Sequence, residues 1–408
     1  MTIRKTSLAL AVAAVFALPA SAFATNGILP AGNGIVSQGM GGAGLANAGE
    51  AAAGMDNPAL ISQTGDAIGA GWSVFSPERK VDTTAVPGYP GAVVKSDSTM
   101  FAIPQAAFTA RINSDMNWGI MAYAMGGMNT DYPTGLFPGA GQTTPQTVNL
   151  QGMILAPTMS YDFTPNIAGG ISVLFGYETL TTRNLFGQGT AGTGQRTATG
   201  VGVKLGLDAI ISSGVEVGAM YQPKLSMTDN SDYFKQLLGG FGFTGNSGLD
   251  LPAEYGVGAK FAVGPSVDIL ADALYYQWNG VDLYKFFGWK SEPVYKIGAE
   301  YRPTESLALR IGYNYGKSPI QGGTAAANGA MDAAFANYPF PAISQSHITL
   351  GIGYKLDSKA TVNAYYLYAP TVTETASLTS QTSAGPVPAG TQISMHQNAF
   401  GVGVNYAF

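Results

Sequence analysis

The sequence predicts an all-β protein: a 14-stranded antiparallel transmembrane β-barrel plugged by a small N-terminal hatch. Three observations predict it: period-2 apolar patterning that recurs from residue 66 to the end, short and long connections in alternation, and an aromatic carboxy-terminus. The last strand shows the pattern most plainly. Phe400, Val402, Val404, Tyr406 and Phe408 share one parity, while Ala399, Gly401, Gly403, Asn405 and Ala407 fill the other. Such a strand turns its apolar parity to lipid and its small parity to a lumen, and closure pairs every backbone group where no water is at hand.

The amino-terminus reads as an export signal. Arg4 and Lys5 precede an apolar run from Leu8 to Leu18, and Ala22, Phe23 and Ala24 form a small-x-small cleavage site. The run is too short to span a bilayer, which takes about 20 apolar residues. Residues 1–24 are therefore expected to be a signal peptide, with Sec-type export and cleavage near Ala24. Residues 25–65 follow as the expected hatch. Of the 35 residues at 25–59, 17 are Gly or Ala, no strand period is present, and Glu50 and Asp56 are the only charges. Ile28, Leu29, Ile35, Val36, Leu45 and Met55 set this stretch apart from a solvated linker.

Residues 66–408 are expected to be the barrel. Its strands fall at 66–80, 98–112, 116–132, 147–162, 165–182, 195–211, 214–228, 249–263, 266–280, 291–302, 304–317, 342–356, 359–372 and 393–408. Tight turns at Ser212-Ser213-Gly214, Gly264-Pro265 and Pro303-Thr304 alternate with long connections such as 229–248, 318–341 and 373–392, as periplasmic turns alternate with extracellular loops. An even strand count brings the start of the barrel and its last residue to the same, periplasmic side. Apolar parities such as Ile167 to Tyr177 and Leu251 to Phe261 face lipid. The opposite parity carries Glu178, Lys204, Asp208, Glu216, Lys260, Arg310 and Lys355 into the lumen. Tyr313, Tyr315, Tyr366 and Tyr368 mark the outer rim, and Tyr406 and Phe408 the inner one.

Composition narrows the function. Charged residues make up 11% of the chain, against about 25% in a soluble domain, so much of the surface avoids water. No later segment reaches 18 uncharged apolar residues, which argues against a helical membrane protein. A soluble β-sandwich also alternates, but long strands behind an export signal fit it poorly. The chain has no cysteine, which removes disulfide frameworks and cysteine metal sites, and no metal is expected. Without Arg4 and Lys5 the formal charge moves from −5 to −7, giving no support to nucleic-acid binding. No nucleotide-binding loop is evident, so neither ATP nor any other cofactor is implied. His347, on the lumenal parity, and His396, near the top of the last strand, are the two histidines. Neither joins a nucleophile constellation, and the chain reads as a non-enzyme.

The order Gly39-Met40-Gly41-Gly42-Ala43-Gly44, then Asn57-Pro58-Ala59-Leu60, then the first strand resembles the hatch of the long-chain fatty acid transporter (FadL/TodX) family. The resemblance continues through Trp118-Gly119, Gly126-Gly127, Leu251-Pro252-Ala253-Glu254, Tyr295-Lys296-Ile297-Gly298 and Asn405-Tyr406-Ala407-Phe408. It covers nearly the whole mature chain in order. It implies a monomeric barrel whose N-terminal hatch, with Asn57, Pro58 and Ala59 as its motif, blocks free diffusion. It also implies uptake of hydrophobic compounds: ligand is collected among outer loops, passes a lumenal pocket touching the N-terminal segment, and leaves sideways at an inward kink of the third strand. Gly126 and Gly127 place that kink, since paired glycines adopt backbone angles other residues resist. Phe408 is the expected signal for barrel-assembly machinery, and outer-membrane lipid the expected surroundings.

Ligand contacts are expected at two levels. In the loops, Leu136 and Phe137 form one apolar cluster; Phe234, Leu237, Leu238, Phe241 and Phe243 form another, with Phe234, Leu237 and Leu238 on one face of a short helix. In the lumen, Ile28, Leu29, Ile35 and Val36 of the hatch and Tyr123, Met125 and Met128 beside the kink are candidate walls, methionine adapting to varied apolar ligands. Packing among these residues is the plain alternative. Two departures from the fatty-acid branch bear on substrate. Glu178 stands where that branch has a basic residue for the ligand carboxylate, with Arg183 the nearest base in sequence, and the third long loop, about 184–194, is short. Both favour neutral or aromatic hydrocarbons without excluding fatty acids. Lys204, Lys260, Lys296 and Arg310 could serve a carboxylate, but pairing with Glu216, Glu254 and Glu300 is the default. The rival reading is a porin for small polar solutes.

Overall fold

The computed structural model of the chain describes residues 26–89, 91–133, 145–185, 194–228, 231–245, 249–382 and 385–408. The leader at residues 1–24 and the loop residues Leu136 and Phe137 lie outside them. Fourteen strands form the staves: β1 (Ala67–Asp82), β2 (Phe101–Arg111), β3 (Met116–Tyr132), β4 (Gln146–Thr164), β5 (Ile167–Arg183), β6 (Gly194–Ser212) and β7 (Val215–Gln222). They continue as β8 (Glu254–Val263), β9 (Val267–Tyr276), β10 (Glu292–Tyr301), β11 (Leu307–Gly316), β12 (Ser346–Lys355), β13 (Ala360–Thr375) and β14 (Gln392–Ala407). Each pairs antiparallel with its sequence neighbour, and β14 closes on β1 in unbroken register from Ala67 opposite Ala407 to Asp82 opposite Gln392. A short outer strand, Val93–Lys95, adds only to the end of β1.

The two-residue period is realised in β14, where Phe400, Val402 and Val404 face outward and Ala399, Gly401 and Gly403 are buried. Phe408 is exposed, and its ring stacks on Phe108 at 6.0 Å. Two strands begin or end differently from their patterns. β7 stops at Gln222 because Pro223 cannot donate to the ladder. β8 starts at Glu254, past Pro252; Leu251 turns inward to bridge Leu225 and is buried, not lipid-facing. Lys355, expected in the lumen, lies exposed where β12 meets its turn.

Residues 26–64 fill the barrel interior. They have too few bulky side chains to fold alone, and their backbone groups are met by the wall on every side. Gly34 N donates to Gln105, Gly41 N to Thr349, Gly44 N to Asp272 and Ala51 N to Asn405, while Lys204 donates to the Met55 carbonyl. Asn57 is the central lock. Its Nδ2 donates to the carbonyls of Leu45 (2.8 Å) and Leu207 (2.9 Å), and its Oδ1 accepts from Ala59 N at 3.1 Å, capping the turn that Pro58 starts. That turn lies directly on Gly170 and Gly206, where a Cβ would run into the backbone of Pro58 and Ala59.

Candidate functional site

β3 is the strand that breaks the barrel's rule. Its burial alternates only at its start. From Met121 to Thr130 every residue is buried, so both parities lie within the molecule and the strand has bent into the lumen. Pairing with β2 ends at Ala106 opposite Ala122, leaving Phe101–Gln105 joined to β1 alone. On the other side, the register with β4 shifts between Ala124 and Gly126, which makes Met125 the extra residue of a bulge. Gly126 has φ +135°, and a Cβ there would stand 2.7 Å from the Ile28 carbonyl oxygen. That oxygen accepts from Gly127 N at 3.2 Å. Gly126 thus permits both the bend and the close approach of the hatch, and the Gly127 N–H ties the two together.

Beside the bend is a cavity of about 50 Å³, lined by Leu29, Tyr123 and Met125 together with wall residues such as Met220, Leu251 and Leu274. Its floor is polar, formed by Asp56, Lys204, Glu254 and Lys296. An engineered cavity that holds benzene measures ~150 Å³, so this one is too small for a molecule of that size as it stands. Met125 packs over Gly152 and Gly176, a joint that a flexible thioether can rearrange. Met128 is buried further along β3. Ile28 bonds the bend, whereas Ile35 lies against Gly71 and Gly403 and Val36 packs with Met40, Ala43 and Leu270. Of the lumenal residues singled out in the sequence, Leu29, Tyr123 and Met125 therefore share the cavity, with Ile28 at its edge.

The loops form an aromatic cap. The helix Ser231–Leu238 buries Phe234, Leu237 and Leu238, Phe243 is buried beside it, and Phe241 is half-buried. Phe234 meets Phe243 with centroids 6.5 Å apart, and Phe243 meets Phe286 at 5.1 Å. Trp278 meets Tyr284 and Trp289 edge to face, Tyr284 and Trp289 lie tilted against each other, and Trp278 is in contact with Gly27 of the hatch. These loop residues pack on one another. Burial, with the charges of Glu178 and Asp250, holds the Tyr284 hydroxyl well above its ordinary pKa. The Asp250 carboxyl is also raised by burial, against the Met227 N–H and the Lys224 ammonium.

Three lumenal cations are paired with glutamates among the described residues. Lys204 meets Glu254 at 3.2 Å, Lys260 meets Glu216, and Arg310 meets Glu300 at 2.7 Å, while Lys296 stands opposite Asp272. Arg183 is exposed and faces Asp131, away from the lumen. His347 is fully buried with Nε2 3.1 Å from Gln397 Nε2. Glu178 is buried, and neither carboxylate oxygen meets a protein donor. Arg196, one rung away on β6, lays its guanidinium over Tyr233 at 4.1 Å instead. Arg196 and the cavity residues Leu274 and Tyr276 belong to no motif in the sequence, and inward parity on their strands is the one signal that marks them.

A closed barrel, a packed lumen and one inward-bent strand are features to set against known proteins, and the model of one family matches residues 10–408. The chain belongs to the outer membrane protein transport protein (OMPP1/FadL/TodX) family. It is accordingly a β-barrel of the bacterial outer membrane, in a family of transport proteins. Among solved structures, the Pseudomonas putida toluene transporter TodX is 19% identical with a TM-score of 0.69, the match covering 92% of this chain and 99% of that one. A Pseudomonas aeruginosa FadL homologue is 14% identical with a TM-score of 0.66, covering 96% and 100%. The Ralstonia pickettii toluene transporter TbuX is 17% identical with a TM-score of 0.62, covering 92% and 98%. At these identities the likeness establishes the fold. No curated protein matches the chain in sequence.

Proposed function

We propose that this member of the family takes up hydrophobic compounds, long-chain fatty acids or aromatic hydrocarbons, by passive passage down their gradient, with lateral exit at the bend of β3. The observation that carries the reading is the bend itself: β3 runs buried from Met121 to Thr130, unpaired with β2 beyond Ala122, beside a cavity with apolar walls and a polar floor. Burying apolar surface is worth roughly 25 cal/mol per Å². A hydrocarbon that moves from pocket to pocket and then into lipid stays desolvated, whereas a water-filled pore would forfeit that gain. Phe234 and Phe243 in the cap would collect ligand, and Leu29, Tyr123 and Met125 would pass it to the opening. Export through a cleaved leader, insertion guided by Phe408 and a monomeric state belong to the same reading.

Cells with and without the protein, supplied with labelled oleate and labelled toluene, test it. Uptake of at least one compound should depend on the protein. A variant with Gly126 and Gly127 both replaced by valine should lose most of that uptake, because a side chain at Gly126 meets the Ile28 carbonyl and straightens the bulge. Normal transport by the valine variant would remove lateral exit; uptake of neither compound class would remove the transport reading. A steady open current through the intact protein in planar bilayers would instead favour the porin alternative.

A further inference from the structure

Arg79 on β1 is fully buried. It points inward with Phe75 and Val81, at the long-loop edge of the place where β2 and β3 part. One guanidinium nitrogen, Nη1, donates to the carbonyls of Asn129 (2.6 Å) and Ser98 (3.3 Å), tying it to the bent stretch of β3 and to the chain leading into β2. The remaining two, Nε and Nη2, are buried and meet no acceptor among the described residues. Lys204, Lys260 and Arg310 all have carboxylate partners in the lumen, and among the described residues Arg79 has none. The carboxylates nearest it in sequence are engaged elsewhere: Glu78 with Lys95, and Asp82 with Thr84.

The choice of free atoms is informative. Nε–H and the adjacent Nη2–H lie on one edge of the guanidinium plane and point the same way, the fork that takes both oxygens of a carboxylate. Nη1, on the opposite side, is the nitrogen used for the backbone. A buried cation without a counter-charge is unfavourable, so an unused fork in this position suits an anion that arrives with the ligand. Its surroundings fit an amphipathic one. Phe101 lies under the guanidinium at 5.7 Å, and Phe75 packs against Phe101 at 6.3 Å, giving apolar surface beside the fork.

We propose that Arg79 is the head-group site for carboxylate substrates, holding both oxygens at its Nε/Nη2 edge while the hydrocarbon tail lies along the bend of β3. This rests on the uptake reading above and names the partner for the acid end, placing it on β1, away from the buried carboxyl of Glu178. Neutral hydrocarbons pass the same opening without using it.

Equilibrium binding of labelled dodecanoate and labelled dodecanol to the full protein in non-ionic detergent at pH 8 tests the assignment. Wild type should bind the acid at least tenfold more tightly than the alcohol. Arg79→Met should bring the ratio to about one, and Arg79→Lys, which keeps the charge but loses the fork, should fall between. An unchanged ratio in either variant, or a wild-type ratio of one, would overturn the assignment; the wild-type measurement stands even if Arg79→Met fails to fold. Heat-modifiable gel migration reports folding. Loss of protein-dependent uptake of every compound in wild-type cells would count against the transport reading, while the binding ratio would still decide the role of Arg79 by itself.

Discussion

The two halves of the lumen hold the chain within them by different means. Toward the short turns, wall side chains reach the hatch and are used. Asp272 accepts from two backbone N–H groups, Asn57 bonds two carbonyls, and Gln63 Nε2 donates to Asp208 and Glu216. Toward the long loops, β3 bends inward, the ladder with β2 stops, and two fully or almost fully buried charged side chains, Arg79 and Glu178, stand apart from any ion pair. A satisfied polar network fixes one arrangement, and a partly satisfied one is costly. The hatch is thus bonded to the wall toward the short turns, and around Ile28, Met125 and Gly126 it meets the bend of β3.

Removing a bolt should have the largest effect. Asp272→Ala leaves the N–H groups of Gly44 and Leu45 buried without an acceptor, at about 1–3 kcal/mol each, or roughly 2–6 kcal/mol together. The barrel should still close, since its strands pair without the hatch, but the plug should loosen. Expected are a lower temperature for heat-modified gel migration and a rise in ion conductance in planar bilayers. An unaltered conductance would erase the contrast between the two halves, because the hatch would then be held by something other than these bonds.

Asn57→Ala should act in the same direction and less strongly. It removes the acceptor for Ala59 N and two donors to carbonyls that retain other lone pairs, a loss of about 1–3 kcal/mol. Rescue by Asn57→Asp should be partial, since a carboxylate still caps Ala59 N but cannot donate to Leu45 and Leu207. Protease nicking of the N-terminal segment in the folded barrel measures it: faster in the alanine variant, intermediate in the aspartate one.

How far such residues are legible in the sequence depends on whether their signal is periodic. That of the staves is, and the pattern alone places β3 at Met116–Tyr132, whereas the kink at Gly126 and Gly127 comes from the family resemblance, with the positive φ found at Gly126. Strand ends depart from the pattern where proline cuts the ladder, at Pro223 and before Glu254. Lumenal pairing of Lys204, Lys260 and Arg310 with glutamates follows from inward parity on neighbouring strands. Arg79 does not stand out, because Glu78-Arg79-Lys80 reads as an ordinary charged rim. Its parity with Phe75 and Val81 holds the clue, but only the three-dimensional arrangement shows that no acid reaches it.

The smallest expected change is at Glu178, and its sign makes it useful. An acid that serves the fold is lost at a cost, as at Asp272, whereas replacing an unbonded buried ionisable group by an apolar side chain of similar volume is often neutral or stabilising. Glu178→Leu should therefore leave the heat-modification temperature unchanged or raise it, by an amount on the order of 1 kcal/mol. The leucine would extend the apolar surface formed by Met125, Leu225 and Met227 around Gly176, one step along the same strand. Protein-dependent toluene uptake should be kept or increased. A clear loss of stability would show that Glu178 is held by a partner in the native barrel, and the two halves of the lumen would then differ in backbone geometry but not in how they satisfy charge.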